Sequence, residues 1–269
     1  MVLATTSVGL YLASPALPDG FRLLNTLIGT ALSAGGIIAL NQYLERDLDA
    51  HMERTRRRPL PAGHLGPTEG LAFGVAITAG GILYLLCLAS PLGALLAALT
   101  GGSYLFAYTP LKRRSSLSTI VGAIPGALPP MIGWAAARGR LDLEAWILFA
   151  ILFLWQVPHA LAIATLYRDD YARAGIRFLP VVDRDGRSTG GAIVSHCLAL
   201  LIVGIQPALV GMAGSVYLFG ALAFGLAFLG CGIHLAIARS AGAARWLLLA
   251  SLVYLPAVLA LMALDKIPS

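Results

Sequence analysis

The stretch LLNTLIGTALSAGGIIAL, residues 23–40, runs without a break into NQYLERDLDAHMERTRRRPLP, residues 41–61. Its first half is apolar enough to form most of a membrane span, for which a helix needs ~20 residues to cross ~30 Å of hydrocarbon. The second half sets Asn41, Glu45 and Asp49 at i, i+4 and i+8, which stacks them along one helix face. Carboxylates at the rim of a span are costly and usually have a task such as holding a cation. Arg54, Arg56, Arg57 and Arg58 follow directly, and guanidinium groups suit phosphate oxygens. Acids that can hold a divalent metal beside bases that can hold phosphate outline a diphosphate site.

Working outward, the 269 residues are 58% hydrophobic and only 12% charged, which points to a polytopic helical membrane protein built as a single domain over 1–269. Nine apolar segments are read near 2–14, 22–44, 69–89, 91–109, 116–137, 144–166, 191–211, 215–238 and 244–264. The expected fold is therefore an all-α transmembrane bundle of about nine helices. Its first segment is short: thirteen residues at ~1.5 Å each reach about 20 Å, so a late start of the chain is expected. Met1 has no basic flank, and a signal peptide is not expected. Ser90 and Pro91 alone separate the third and fourth segments, which demands a tight antiparallel reversal.

A net charge of +6 does not imply nucleic acid, because the bases lie in short loops between apolar runs. The loops after segments two, four, six and eight hold fifteen of the 19 Lys and Arg residues, which places those loops in the cytoplasm. Asn41–Asp49 and the pair Asp169 and Asp170 then share one side of the membrane. Cys87, Cys197 and Cys231 stand singly in apolar segments and are read as packing residues. His196 and His234 are read as packing or interhelical hydrogen-bonding groups. Gly35-Gly36, Gly80-Gly81 and Gly101-Gly102 permit close helix approach. Pro125, Pro129 and Pro130 break segment five, and Pro158 sits inside segment six.

Two further loops carry chemistry. Asp169 and Asp170 leave a span with Arg168, Arg173 and Arg177 interleaved. Magnesium takes one or two carboxylates plus phosphate oxygens, so two acidic segments can share ions. Tyr108 and Lys112 offer a phenol and a cation four residues apart, suited to a phosphate or to anchoring a belt and a positive loop. Asp47 and Glu53 lie off the Asn41 face and are read as partners of Arg46 and Arg54.

These residues resemble the UbiA superfamily of intramembrane prenyltransferases. Asn41, Glu45 and Asp49 match its first motif, Asn-x-x-x-Asp-x-x-x-Asp, with Glu in the place of one Asp. Tyr43, Arg46, Asp47, Met52, Arg54, Thr55, Arg58 and Pro59 extend the match to the heme O synthase branch, as do the Tyr108/Lys112 pair, Gly126–Trp134 and Trp155-Gln-x-Pro-His159. Asp170 and Gly175 continue it, and the resemblance covers about residues 5 to 190. Three departures stand out: Glu45, Ala160 where Phe is usual, and Tyr167 and Tyr171 flanking Asp169-Asp170 where Asp-x-x-x-Asp is common.

The resemblance implies a magnesium-dependent transfer of farnesyl from farnesyl diphosphate to a vinyl group of heme B, giving heme O. It implies magnesium ligands at Asn41, Glu45, Asp49 and Asp170, with Asp169 weaker. Lys112, Arg54, Arg58, Arg173 and Tyr108 would face the diphosphate, and Trp155 and His159 the heme, His159 at iron or a propionate. It further implies a multi-pass protein of the bacterial cytoplasmic membrane, its site facing the cytoplasm, with heme A synthase as a downstream partner. Prenylation of 4-hydroxybenzoate or another quinone precursor is the near alternative. A cation-coupled transporter or a structural partner of a respiratory complex stand further off.

Overall fold

The computed structural model describes residues 1–267. Its long helices are α1 (Val2–Ala13), α2 (Gly20–Asp49), α3 (Pro67–Leu88), α4 (Pro91–Leu111), α5 (Ser118–Arg138), α6 (Leu143–Leu166), α7 (Arg187–Leu209), α8 (Ser215–Ala238) and α9 (Ala241–Leu264). Among the described residues, the eight from α2 to α9 are long and apolar enough to cross a membrane. With 12 residues, α1 spans about 18 Å, short of a full crossing. The molecule is an all-α polytopic bundle, as the apolar segments indicate.

Local chemistry sets the helix ends. Asp19 caps α2, its carboxylate accepting from the N–H groups of Phe21 (3.3 Å) and Arg22 (3.2 Å). Ser90 Oγ accepts from Gly93 N at 3.1 Å and Pro91 opens α4, so the α3–α4 reversal is as tight as the sequence requires. In α5, Ser118–Ala127 and Pro129–Arg138 are separate helical pieces joined at Leu128. Pro129 and Pro130 bring no N–H to that junction, which interrupts the backbone ladder.

Close backbone approach holds the bundle together. A Cβ on Gly133 would stand 1.9 Å from Thr6 O, and one on Gly9 would stand 2.0 Å from Pro130 O, so α1 lies directly on the second half of α5. Gly81 meets Ser33 N, and Gly36 meets Thr78, in the same way between α2 and α3. Gly133→Ala is therefore expected to lower stability by about 1–3 kcal/mol through overpacking. A lowered Tm in detergent checks this, and an unchanged Tm counts against the close fit. Helix α6 is central: Leu148, Ile151, Trp155 and Leu161 pack into one core with Ile193, Leu200, Leu247 and Tyr254.

The two ends differ. At one, Lys266 Nζ donates to Tyr11 O (2.7 Å) and to Ser14 O, and Arg138 Nε donates to Ala13 O at 2.7 Å, which anchors the end of α1. At the other lie the basic loops. Met52 packs with Tyr171, Ala174, Ile176 and Phe178, so the loops after α2 and α6 meet in an apolar cap.

The second helix runs past the apolar segment 22–44 to Asp49, as the shared helix face of Asn41, Glu45 and Asp49 requires, and their side chains are buried. Two expectations are corrected. Glu53 pairs with Arg56 at 2.6 Å, one turn along, instead of with Arg54. His196 bonds Ala192 O of its own helix and His234 is exposed, so neither ties two helices together.

Candidate active site

Helix periodicity brings Asn41, Glu45 and Asp49 to one buried face, at 7%, 7% and 1% exposure. Asn41 Nδ2 donates to Glu45 Oε2 at 3.0 Å. Lys112 Nζ donates to both Glu45 oxygens, at 2.8 and 3.1 Å. Arg58 donates to Asp49 Oδ2 at 2.7 Å, and Thr55 Oγ1 donates to the Asp49 carbonyl at 2.9 Å, folding the arginine loop back over the helix end. Both carboxylates of this face rest on a cation, Glu45 on Lys112 and Asp49 on Arg58.

Helix α4 delivers the lysine through a local change of winding. Residues Ser103–Tyr108 form a π-helical turn, a feature found frequently at functional sites. A wider turn brings Tyr104, Tyr108 and Lys112 into line. Lys112 Nζ lies 4.3 Å from the Tyr108 ring centre and 5.8 Å from that of Tyr104, close enough for cation–π attraction. Thr109 Oγ1 contacts both the Tyr104 carbonyl and Asn41 Oδ1 at 2.9 Å, which fixes the amide. Tyr108 Cε2 lies 2.6 Å from where a Cβ on Gly122 would be, so that glycine makes room for the ring.

The third element is the loop after α6. Arg54 reaches the Tyr171 hydroxyl at 3.5 Å, and Arg177 N donates to Lys112 O at 2.8 Å, so all three charged loops are tied at one end of the bundle. Asp170 pairs with Arg173, and Asp169 is exposed. Among the described residues, no three His, Cys, Asp or Glu side chains converge as a metal site. The four expected ligands Asn41, Glu45, Asp49 and Asp170 are thus not assembled into a cage by the chain alone, because each carboxylate is drawn to a neighbouring base. Their chemistry still suits magnesium, a hard cation that takes one or two carboxylates and fills its shell with water and phosphate oxygens.

Beneath this charged lip lies a cavity of about 420 Å³ bounded by α1, α2, α4, α5 and α6. Tyr104, Tyr108, Tyr171 and Phe178 form its roof, and Ile37, Ile132 and Ala97 are among its apolar walls. His159 lines it, stacked on Trp155 with ring centres 4.7 Å apart. Sequence reading gave no role to Thr109, Tyr104 or Ser251, nor to Gln156, which it met only inside the Trp155–His159 motif. A polar residue inside a span is itself a signal, and Gln156 and Ser251 carry it. The π turn that recruits Tyr104 and Thr109 leaves no such trace.

Known proteins with this arrangement can be compared directly. The profile of the UbiA prenyltransferase family matches residues 2–264. The protoheme IX farnesyltransferase of Solibacter usitatus (strain Ellin6076) is 50% identical over 275 residues, covering 99% of this chain and 94% of that protein. A digeranylgeranylglyceryl phosphate synthase structure superposes with a TM-score of 0.83 at 14% identity, covering 98% of this chain and 92% of that one. A UbiA homolog from Archaeoglobus fulgidus bound to GPP and Mg2+ superposes with a TM-score of 0.64 at 15% identity, covering 97% and 96%. Helices, buried acid–base lip and sequence agree: this chain belongs to the UbiA prenyltransferase family.

Proposed function

We propose that this protein transfers the farnesyl group of farnesyl diphosphate to a vinyl group of heme B, giving heme O, at the cytoplasmic face of a bacterial inner membrane. The observation that carries this reading is the lip of Asn41, Glu45, Lys112, Asp49 and Arg58 set directly over a largely apolar cavity. The near-full-length relative named protoheme IX farnesyltransferase supports the choice of acceptor over a quinone precursor.

Lys112, Arg58, Arg54 and Arg173 neutralise the diphosphate, whose departure is limited by its charge. Asn41, Glu45, Asp49 and Asp170 would hold magnesium, which when bound would supply Lewis-acid stabilisation of the leaving group. Lys112 and Arg58 are already held by Glu45 and Asp49, so the site is organised before substrate arrives. The π faces of Tyr104 and Tyr108 meet the cationic isoprenoid carbon, and the apolar walls keep water from it. Trp155 and His159 bound the acceptor side of the cavity. The product passes to heme A synthase.

Purified protein incubated with heme B, farnesyl diphosphate and magnesium is expected to yield heme O by mass, and a chelator is expected to stop it. Diphosphate release with 4-hydroxybenzoate but not with heme B would replace this acceptor by a quinone precursor. No release with either acceptor would sink the transferase reading.

A further inference from the structure

The wall of the cavity on α6 carries Gln156 and, one turn on, His159. His159 Nδ1 lies 2.7 Å from Ser251 Oγ on α9. Ser251 Oγ also lies 2.6 Å from Leu248 O. Two oxygens so close need a hydrogen between them, and a carbonyl has none, so the one hydroxyl proton is committed to Leu248. Ser251 Oγ then accepts from the ring. The imidazole proton is on Nδ1 and the lone pair on Nε2.

The ring is fixed as well as polarised. It lies within 20° of the Trp155 plane, and Trp155 Nε1 donates to Ser251 O at 2.9 Å, so both rings are anchored to one residue of α9. His159 Nε2 and the Gln156 amide have no hydrogen-bond partner among the described residues. Gln156 is seated against Gly126, where a Cβ would stand 1.9 Å from Oε1. The other titratable groups lining the cavity are the phenols of Tyr104, Tyr108 and Tyr171, which are poor bases at neutral pH.

We infer that His159 Nε2 accepts the proton of the water that completes the reaction, that Gln156 holds that water, and that Ser251 is the positioning residue that sets the tautomer. The inference rests on the farnesyl transfer proposed above. There the diphosphate leaves with the electron pair of the C–O bond, and the terminal vinyl carbon bonds to farnesyl C1. This leaves a cation on the carbon next to the porphyrin. Water adds its oxygen there, and the proton it loses goes to Nε2, giving the hydroxyl group and an imidazolium. Without the base, the cation instead loses an adjacent C–H proton to the departed diphosphate and forms an alkene.

The test reads product composition and diphosphate release together, since a general base contributes about 10²–10⁴-fold to its step. In His159→Ala the product composition is read per diphosphate released, so that a slower first step does not enter the comparison. The substitution should raise the ratio of dehydrated product, lighter by one water, to hydroxylated product at least tenfold, with added imidazole restoring the hydroxyl. Ser251→Ala should shift the ratio in the same direction by a smaller factor, and Ser251→Thr should return it. Unchanged product composition in both alanine variants overturns the inference, as does weakened heme B binding by Soret titration with normal composition. Absence of diphosphate release by the unaltered protein with heme B would instead overturn the underlying transfer reading.

Discussion

Asp49→Ala should lower the rate of diphosphate release by roughly 10²–10³-fold, the scale on which removal of one preorganised electrostatic group acts. Asp49 is 1% exposed and its Oδ2 holds Arg58 at 2.7 Å; in the proposed reading that carboxylate would both offer an oxygen to a metal and aim a guanidinium at the diphosphate. Its loss removes both at once. The fold should survive, because the Arg58 side chain is 33% exposed and can turn to water, and the Asp49 backbone still accepts from Thr55. Helical circular dichroism and elution volume in detergent check folding, and a diphosphate assay checks turnover. Near-normal turnover in a folded variant would remove Asp49 from the site.

Lys112→Met should be more damaging to the molecule. Lys112 and Glu45 side chains are 8% and 9% exposed, so deleting the cation leaves a carboxylate buried beside the apolar cavity. Breaking such a pair from one side costs about 3–5 kcal/mol. The double variant Glu45→Gln with Lys112→Met should recover most of that loss, because the amide keeps an acceptor for Asn41 Nδ2 and carries no charge. Turnover should stay absent in both, since the cation proposed to meet the diphosphate is gone. A thermal melt separates the two effects. Equal melting of the single and double variants would mean that burial does not enforce the pair.

Much of this architecture is legible in residue order. The spans emerge because lipid demands runs of apolar residues and internally satisfied backbone, and the expected segment 215–238 coincides with α8. Ends are less legible. The expected 22–44 became Gly20–Asp49, because the residues past the apolar run are polar to the eye but buried by their partners. The face shared by Asn41, Glu45 and Asp49 was readable from a spacing of four. Their partners were not, since Lys112 meets Glu45 across 67 residues and no local pattern encodes that meeting.

Ser251 shows the same limit from the other side. It stands alone in an apolar span, and only the approach of α9 to α6 gives it the ring of His159 to orient. Sequence alone therefore determined a membrane-spanning helical bundle, the side on which its charges gather and the acids and bases available there, because hydropathy and helical period act over neighbouring residues. Tertiary structure decided which base neutralises which acid, where a π turn aims two tyrosines, and which imidazole nitrogen keeps its lone pair. Those outcomes depend on contacts between helices distant in the chain, where burial makes each pairing costly to leave unmade.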